Sequence, residues 1–419
     1  MKPRAGSDPS AVVDYTNTAI MVVLLAFLLN LMSRIGETFA VFLLPIESEM
    51  RWNRSTLAGI YALYMGTHGI SGIFSGWFVD RVGPRIVYTA GLLLYSCAFA
   101  LAQFATQPWH FFMTTGVMAG VAMTAIGMTT ATVLITAWYR GPLERHLSLA
   151  ISVPYAGLGA GVVLWIPTAH VLIDRLGWRS AYQWLGLGIL LLAGVIYCLP
   201  WDKLARPQAT RQSTAVSEIN TAQPGTSLRN AMRVTTLWAL FGVLFGTAVA
   251  IYAIAPQLVA YLVAAGYSLT TATMAYTVNG LLALFGIAAT GWLAGRFGSR
   301  RIATLSYTLT IVGLLGLSAL MNQPSLLLLW IVILPIGLSQ GARGPIVSTL
   351  VSKIFPGSSL GLIHGAVTMG VGLGGMVGAW LSGVLYDLSG GYTASFALAI
   401  VAAFLSCSLF WLVRDLKTR

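Results

Sequence analysis

The residues with the most chemical leverage in this chain are charges set inside long apolar runs. A charge is costly in hydrocarbon, so it tends to face a cavity or a partner and to mark function. Arg34 and Glu37 lie in the first such run, three residues apart. That spacing makes them neighbours on one helix face. They can pair in one state and part in another, so that a proton taken up by Glu37 frees Arg34 for an anion. A static pair that fixes helix packing is the alternative. The third charge is Arg343, in Gln340-Gly341-Ala342-Arg343-Gly344-Pro345. The glycines leave space beside it, and Pro345 loosens local backbone bonding. No acid occurs in the later spans before Asp387. An arginine without an acid partner suits a carboxylate, which its planar fork grips at two points. The alternative is a structural arginine bonded to carbonyls that the proline exposes.

Tyr64, Tyr276, Asn279, Gln340 and His364 are further candidates to bond a substrate; Asn30, Tyr61, Tyr155, Tyr252 and Gln257 share the chemistry. Singly, each could equally join helices. No phosphate-binding loop is present, nothing sets Ser, His and acid residues as a triad, and no Cys/His spacing fits a metal. An enzyme is therefore not expected, and neither a cofactor nor a metal is implied. Cys97, Cys198 and Cys407 lie in apolar runs and read as small hydrophobes.

The elements that must position these residues are membrane spans. Hydrophobic residues make up 57% of the 419 and charged residues 9%, against about 25% charged in a soluble domain. Mean hydropathy is +0.79. Twelve apolar runs lie near 18–45, 55–79, 85–105, 109–138, 147–172, 180–200, 234–264, 270–294, 301–321, 325–350, 359–386 and 392–413. Each offers the roughly 20 residues a spanning helix needs. The polar stretch 201–233 divides them into a six-helix half over 1–200 and another over 234–419. The net charge of +12 does not signal nucleic acid, because the basic residues cluster in alternate loops. Arg51, Arg54, Arg175 and Arg179 fall on one side and the other loop cations on the opposite side, which the positive-inside rule makes cytoplasmic, with both termini and the linker.

The halves repeat. Gly76-Trp77-Phe78-Val79-Asp80-Arg81-Val82-Gly83-Pro84-Arg85 recurs half a chain later as Gly291-Trp292-Leu293-Ala294-Gly295-Arg296-Phe297-Gly298-Ser299-Arg300. Asp174-Arg175-Leu176-Gly177 likewise pairs with Asp387-Leu388-Ser389-Gly390. The first stretch resembles the signature loop of the major facilitator superfamily, at Gly76, Asp80, Arg81, Gly83 and Arg85. The second copy keeps Gly291, Arg296, Gly298 and Arg300 but has Gly295 in place of the acid. The resemblance implies an all-α membrane protein of twelve transmembrane helices in two pseudo-symmetric halves, with the substrate near the midplane between them and these loops latching the cytoplasmic side. Trp52-Asn53-Arg54-Ser55, Ala137-Trp138-Tyr139-Arg140 and Gly177-Trp178-Arg179-Ser180-Ala181-Tyr182 are similar to the monocarboxylate porter and oxalate:formate antiporter branch. Three departures matter. The arginine common in that branch's eighth helix is missing between Ala272 and Ala294, the oxalate exchanger's eleventh-helix lysine is missing with only His364 nearby, and Glu37 stands near the first-helix lysine of the animal porters. Arg34 and Arg343 are the replacements expected here.

The function expected is secondary active transport of a small organic anion, a mono- or dicarboxylate, as proton-coupled uptake by alternating access, by a monomer of the plasma (inner) membrane, with a proton or an exchanged anion as partner. Two alternatives are an efflux antiporter for a drug or siderophore-like metabolite, against which the absence of a Gly-Pro pair in Pro154-Tyr155-Ala156-Gly157 weighs, and a receptor-like membrane protein that moves nothing.

Overall fold

Four glycines set the topology. Gly83, Gly177, Gly298 and Gly390 have φ of 81°, 79°, 90° and 67°, a region that costs glycine little. Each turns one long helix into the next. In the computed structural model, which describes residues 9–139, 143, 146–205, 228–341, 343–355 and 360–413, the chain forms twelve helical crossings. Ten helices among the described residues are long and apolar enough to span a membrane. One of these, Ala150–Cys198, breaks at Gly177 into two crossings, and the segment before Gly83 supplies the twelfth.

Helix α1 comprises Pro9–Ser33, a tight 3₁₀ turn Arg34–Thr38, and Phe39–Met50. The stretch Arg54–Ala102 gives α2 (54–82) and α3 (84–102). Helix α4 runs from Pro108 through a wide turn Phe112–Met118 to Trp138, with a break at Gly127. Leu147–Cys198 gives α5 (147–176) and α6 (178–198). Helix α7 is Thr235–Tyr252, resuming as Leu258–Ala264 after a turn at Ala255–Gln257. There follow α8 (Leu269–Phe297), α9 (Ser299–Leu320), α10 (Leu326–Gln340 and Arg343–Ile354), α11 (Leu360–Ser389) and α12 (Thr393–Leu412). The first helix is longer than its apolar run at both ends, since polar residues continue a helix once it leaves hydrocarbon. The tenth run, expected to be continuous, is two helices, because Gly341 ends the first beside Arg343.

Buried side chains gather in two clusters. One is drawn almost wholly from residues 19–204, the other mostly from 231–413. Two seams join them, and both are built on glycine. On α2 and α11, a Cβ at Gly69 would stand 2.7 Å from the Gly372 Cα. On α5 and α8, a Cβ at Gly159 would stand 2.8 Å from Leu284 Cβ. Small residues at such seams let backbones approach without an apolar driving force.

The stretch after the sixth crossing begins packed: Trp201 and Leu204 are buried, and Trp138 Nε1 donates to the Leu204 carbonyl at 2.7 Å. Residues 206–227 lie outside the described residues. In the signature loops, Arg85 stacks 4.4 Å over the Tyr197 ring of α6, and Arg300 stacks 3.3 Å over the Trp411 ring of α12. These matched cation–π contacts, each worth about 0.5–1 kcal/mol at an exposed site, tie each arginine to the last helix of its own half. Arg81 is exposed, and Arg296 lies 5.6 Å from the Trp292 ring. The side chains at Gly76, Asp80 and Gly291 lie outside the described part of the structure.

Candidate functional site

The 3₁₀ turn in α1 explains the charge pair. In this tighter helix, side chains three apart eclipse one another. Arg34 Nη1 therefore reaches Glu37 Oε1 at 2.8 Å. Tightening the helix also frees carbonyls that need other partners: Trp165 Nε1 donates to the Leu31 carbonyl at 3.1 Å and the Tyr95 hydroxyl to that of Ser33 at 3.3 Å. The turn needs close neighbours. The Tyr64 and Tyr95 hydroxyls occupy the space a Cβ at Gly36 would take, and a Cβ at Gly161 of α5 would stand 2.8 Å from Arg34 Cβ.

Glu37 is the meeting point of the two halves. Its Oε2 accepts from the Tyr61 hydroxyl of α2 at 2.7 Å and from the Tyr276 hydroxyl of α8 at 3.3 Å. Tyr252 of α7 adds a ring 6.1 Å from that of Tyr61 and lies beside Arg34. Glu37 is 4% exposed, while the Arg34 side chain keeps 19% of its surface open. Arg34 Nε and, one turn earlier, Asn30 Oδ1 are buried atoms without a hydrogen-bond partner among the described residues. Buried polar atoms are nearly always bonded, so such exceptions ask for an explanation. Here, a donor and an acceptor one turn apart on one helix suit a polar ligand.

The remaining candidates do not all converge there. Tyr64 borders the site: its ring is 5.5 Å from that of Tyr61, but its hydroxyl meets Tyr95 at 3.2 Å and the Met123 sulfur at 2.8 Å. Asn279, one turn along α8 from Tyr276, donates to Gln340 of α10 at 2.7 Å. The two line a cavity of about 30 Å³ with Thr310 and Ser339, room for roughly one water molecule. His364 Nε2 lies 2.9 Å from the Ser348 hydroxyl, joining α11 to α10.

Arg343 departs furthest from expectation. It is 1% exposed, and its bonds run to α9: Nε to Ser306 Oγ at 3.2 Å, Nη2 to the Ser306 carbonyl at 2.9 Å and to Thr310 Oγ1. The guanidinium also lies 4.2 Å over the Tyr307 ring. An open fork awaiting a carboxylate is replaced by a fork spent on hydroxyls, a carbonyl and an aromatic face, with Nη1 alone unpartnered among the described residues. Arg343→Ala is therefore expected to lower stability by roughly 3 kcal/mol, since it removes several charge-assisted bonds from a buried site. Thermal unfolding would show this, with ligand affinity in the same variant close to that of the parent.

Tyr61 and Tyr252, which the sequence offered only as two of several residues sharing donor chemistry, stand directly at the Arg34–Glu37 pair. The available signal was modest: Tyr61 precedes Tyr64 by one turn on the same helix. Nothing local marked Gly36.

The comparisons with known proteins agree with this architecture. The model of the Major Facilitator Superfamily matches residues 24–361 and again 240–419. Monocarboxylate transporter 13 of Rattus norvegicus is 26% identical over 387 residues, covering 90% of this chain and 85% of the rat protein. Monocarboxylate transporter 11 of Homo sapiens is 29% identical over 350 residues, covering 76% and 66%. Among solved structures, the xylose transporter XylE from E. coli, in a partially occluded inward-open conformation, superposes with a TM-score of 0.70 at 14% identity, covering 94% of this chain and 98% of that one. With its twelve crossings, its repeated signature loop and relatives that are transporters rather than enzymes, the chain belongs to the major facilitator superfamily.

Proposed function

We propose that this transporter carries a small organic anion, a mono- or dicarboxylate, coupled to a proton. The observation that carries this reading is Glu37, held at once by Arg34, by Tyr61 of the first half and by Tyr276 of the second. A substrate carboxylate has the chemistry of Glu37 and would replace it on Arg34. Protonation of Glu37 removes the charge that competes for the guanidinium, so the proton and the anion enter together. The tyrosine hydroxyls then serve as donors to the incoming carboxylate, and the two halves rock about the bound substrate. The names of the relatives, monocarboxylate transporters and a probable anion transporter of Oryza sativa, support an anionic cargo. The distribution of loop cations supports a cytoplasmic face for the signature loops and both termini, and the proposed transporter is a monomer of an inner membrane.

The test is thermal stability of the purified protein across a library of small carboxylates. A ligand of the folded state raises the apparent melting temperature by mass action. The expected ligand stabilises the parent and Arg343→Ala but not Arg34→Gln. Amphipathic cations stabilising all three, with carboxylates inert, would replace this reading with efflux. In proteoliposomes, uptake should rise as the external pH falls, and Glu37→Gln should make it independent of pH. Uptake by the parent that ignores both pH and uncoupler would leave anion exchange in place of proton coupling.

A further inference from the structure

At the end of the bundle opposite the signature loops, a polar cluster fastens the two halves. Asp387, in the last turn of α11, accepts from the backbone N–H of Arg54 at 3.2 Å and of Ser55 at 2.8 Å, at the start of α2. These are donors that a helix start leaves free, and the carboxylate meets the positive end of the helix dipole. The Arg54 side chain completes the fastening. Its Nε and Nη2 reach Glu47 of α1 at 2.8 and 2.6 Å, its Nη1 donates to the Tyr392 hydroxyl at 3.0 Å, and it lies 4.9 Å over the Tyr386 ring. Just below, a Cβ at Gly383 would stand 3.0 Å from the Arg54 carbonyl, so the backbones nearly touch.

The residue at the N-cap position of α2 is Asn53, among the best capping types, yet its side chain makes no capping bond. The cap of this helix comes from the other half of the protein. We infer that α2 exchanges caps during transport: Asp387 caps it in trans while this end is closed, and Asn53 caps it in cis once α11 has moved away. Exchange of one cap for another leaves the helix start bonded in both states and limits the cost of opening. The same chemistry makes the two residues act in opposite directions. Asp387 favours the closed end, and Asn53 favours the open one. This inference is independent of the cargo.

The experiment reads the opening directly. Val41 of α1 is 1% exposed and packs among second-half side chains. Val41→Cys, with Cys97, Cys198 and Cys407 replaced by Ser, is purified in nanodiscs and its alkylation rate measured. Asp387→Asn should speed alkylation about tenfold, the scale of one lost cap. Asn53→Ala should slow it by a similar factor. Glu49→Gln should leave it unchanged, because the Glu49 bonds, to Trp178 and Arg179, stay within the first half. Shifts of the same sign for Asp387→Asn and Asn53→Ala, or no shift in either, would overturn the exchange. Should Asp387→Asn not fold, Asp387→Glu, which misplaces the carboxylate by one methylene, carries the same test with the same sign.

Discussion

Arg34→Gln is expected to reduce transport about 100-fold or more, the kinetic counterpart of roughly 3 kcal/mol lost when one partner of a buried charged contact is removed. Stability should fall as well. Glu37 is 4% exposed, and without Arg34 it becomes a buried carboxylate whose remaining partners among the described residues are the Tyr61 and Tyr276 hydroxyls. Breaking a buried ion pair from one side costs about 3–5 kcal/mol for that reason. The double variant Arg34→Gln, Glu37→Gln separates the two roles. It leaves no buried charge unpaired, so its melting temperature should return toward that of the parent while transport stays lost. Proteoliposome uptake and thermal unfolding of the same preparations would read both. Transport restored in the double variant would reduce Arg34 to a counterion for Glu37 and remove it from the substrate site.

The second large effect is expected at the α2–α11 seam. Gly69→Val places a branched side chain where its Cβ would be 2.7 Å from the Gly372 Cα, and the Cβ of any residue at Gly372 would be 2.7 Å from the Gly69 nitrogen. The obstacle on each side is backbone, which cannot turn aside as a flexible side chain does. The helices must separate, with an overpacking cost of about 1–3 kcal/mol, and a seam between moving halves loses its fit in every state that uses it. Gly72→Ala is the control: it lies one turn away on the same helix and meets nothing within 4 Å. That change should be neutral or stabilising by up to about 1 kcal/mol, as expected for Gly→Ala in a helix. A Gly69→Val protein as stable and active as Gly72→Ala would show that the close approach at this seam has no mechanical importance.

Much of the architecture was legible in the sequence because its signals are local. A spanning helix announces itself by the length of an apolar run, and a reversal between spans by glycine. The four turns at Gly83, Gly177, Gly298 and Gly390 sit where the repeats placed them, all with positive φ. The pairing of Arg34 with Glu37 was legible for the same reason, since three residues along one helix fixes the distance between two side chains. The break in α10 before Arg343 and the buried start of the linker at Trp201 were not, because a continuous apolar run does not report how its backbone is packed.

The rotation of each helix about its axis was the missing quantity. In a soluble protein, a polar face against an apolar one reveals it. In a bilayer every face is apolar, and packing against neighbours decides. Arg343 could therefore be placed on α10 from sequence, but only the tertiary structure turned it toward Ser306 and Tyr307 of α9. For the same reason, Tyr276 was recognisable as a donor, yet its meeting with Glu37 depends on how two halves of the chain dock. The trans cap of Asp387 on α2 depends on that docking too. Order along the chain was enough to set the twelve crossings, their turns and the charge pair within one helix. The tertiary structure alone decided which residues from different helices share a site, because those distances are set by packing and not by spacing along the chain.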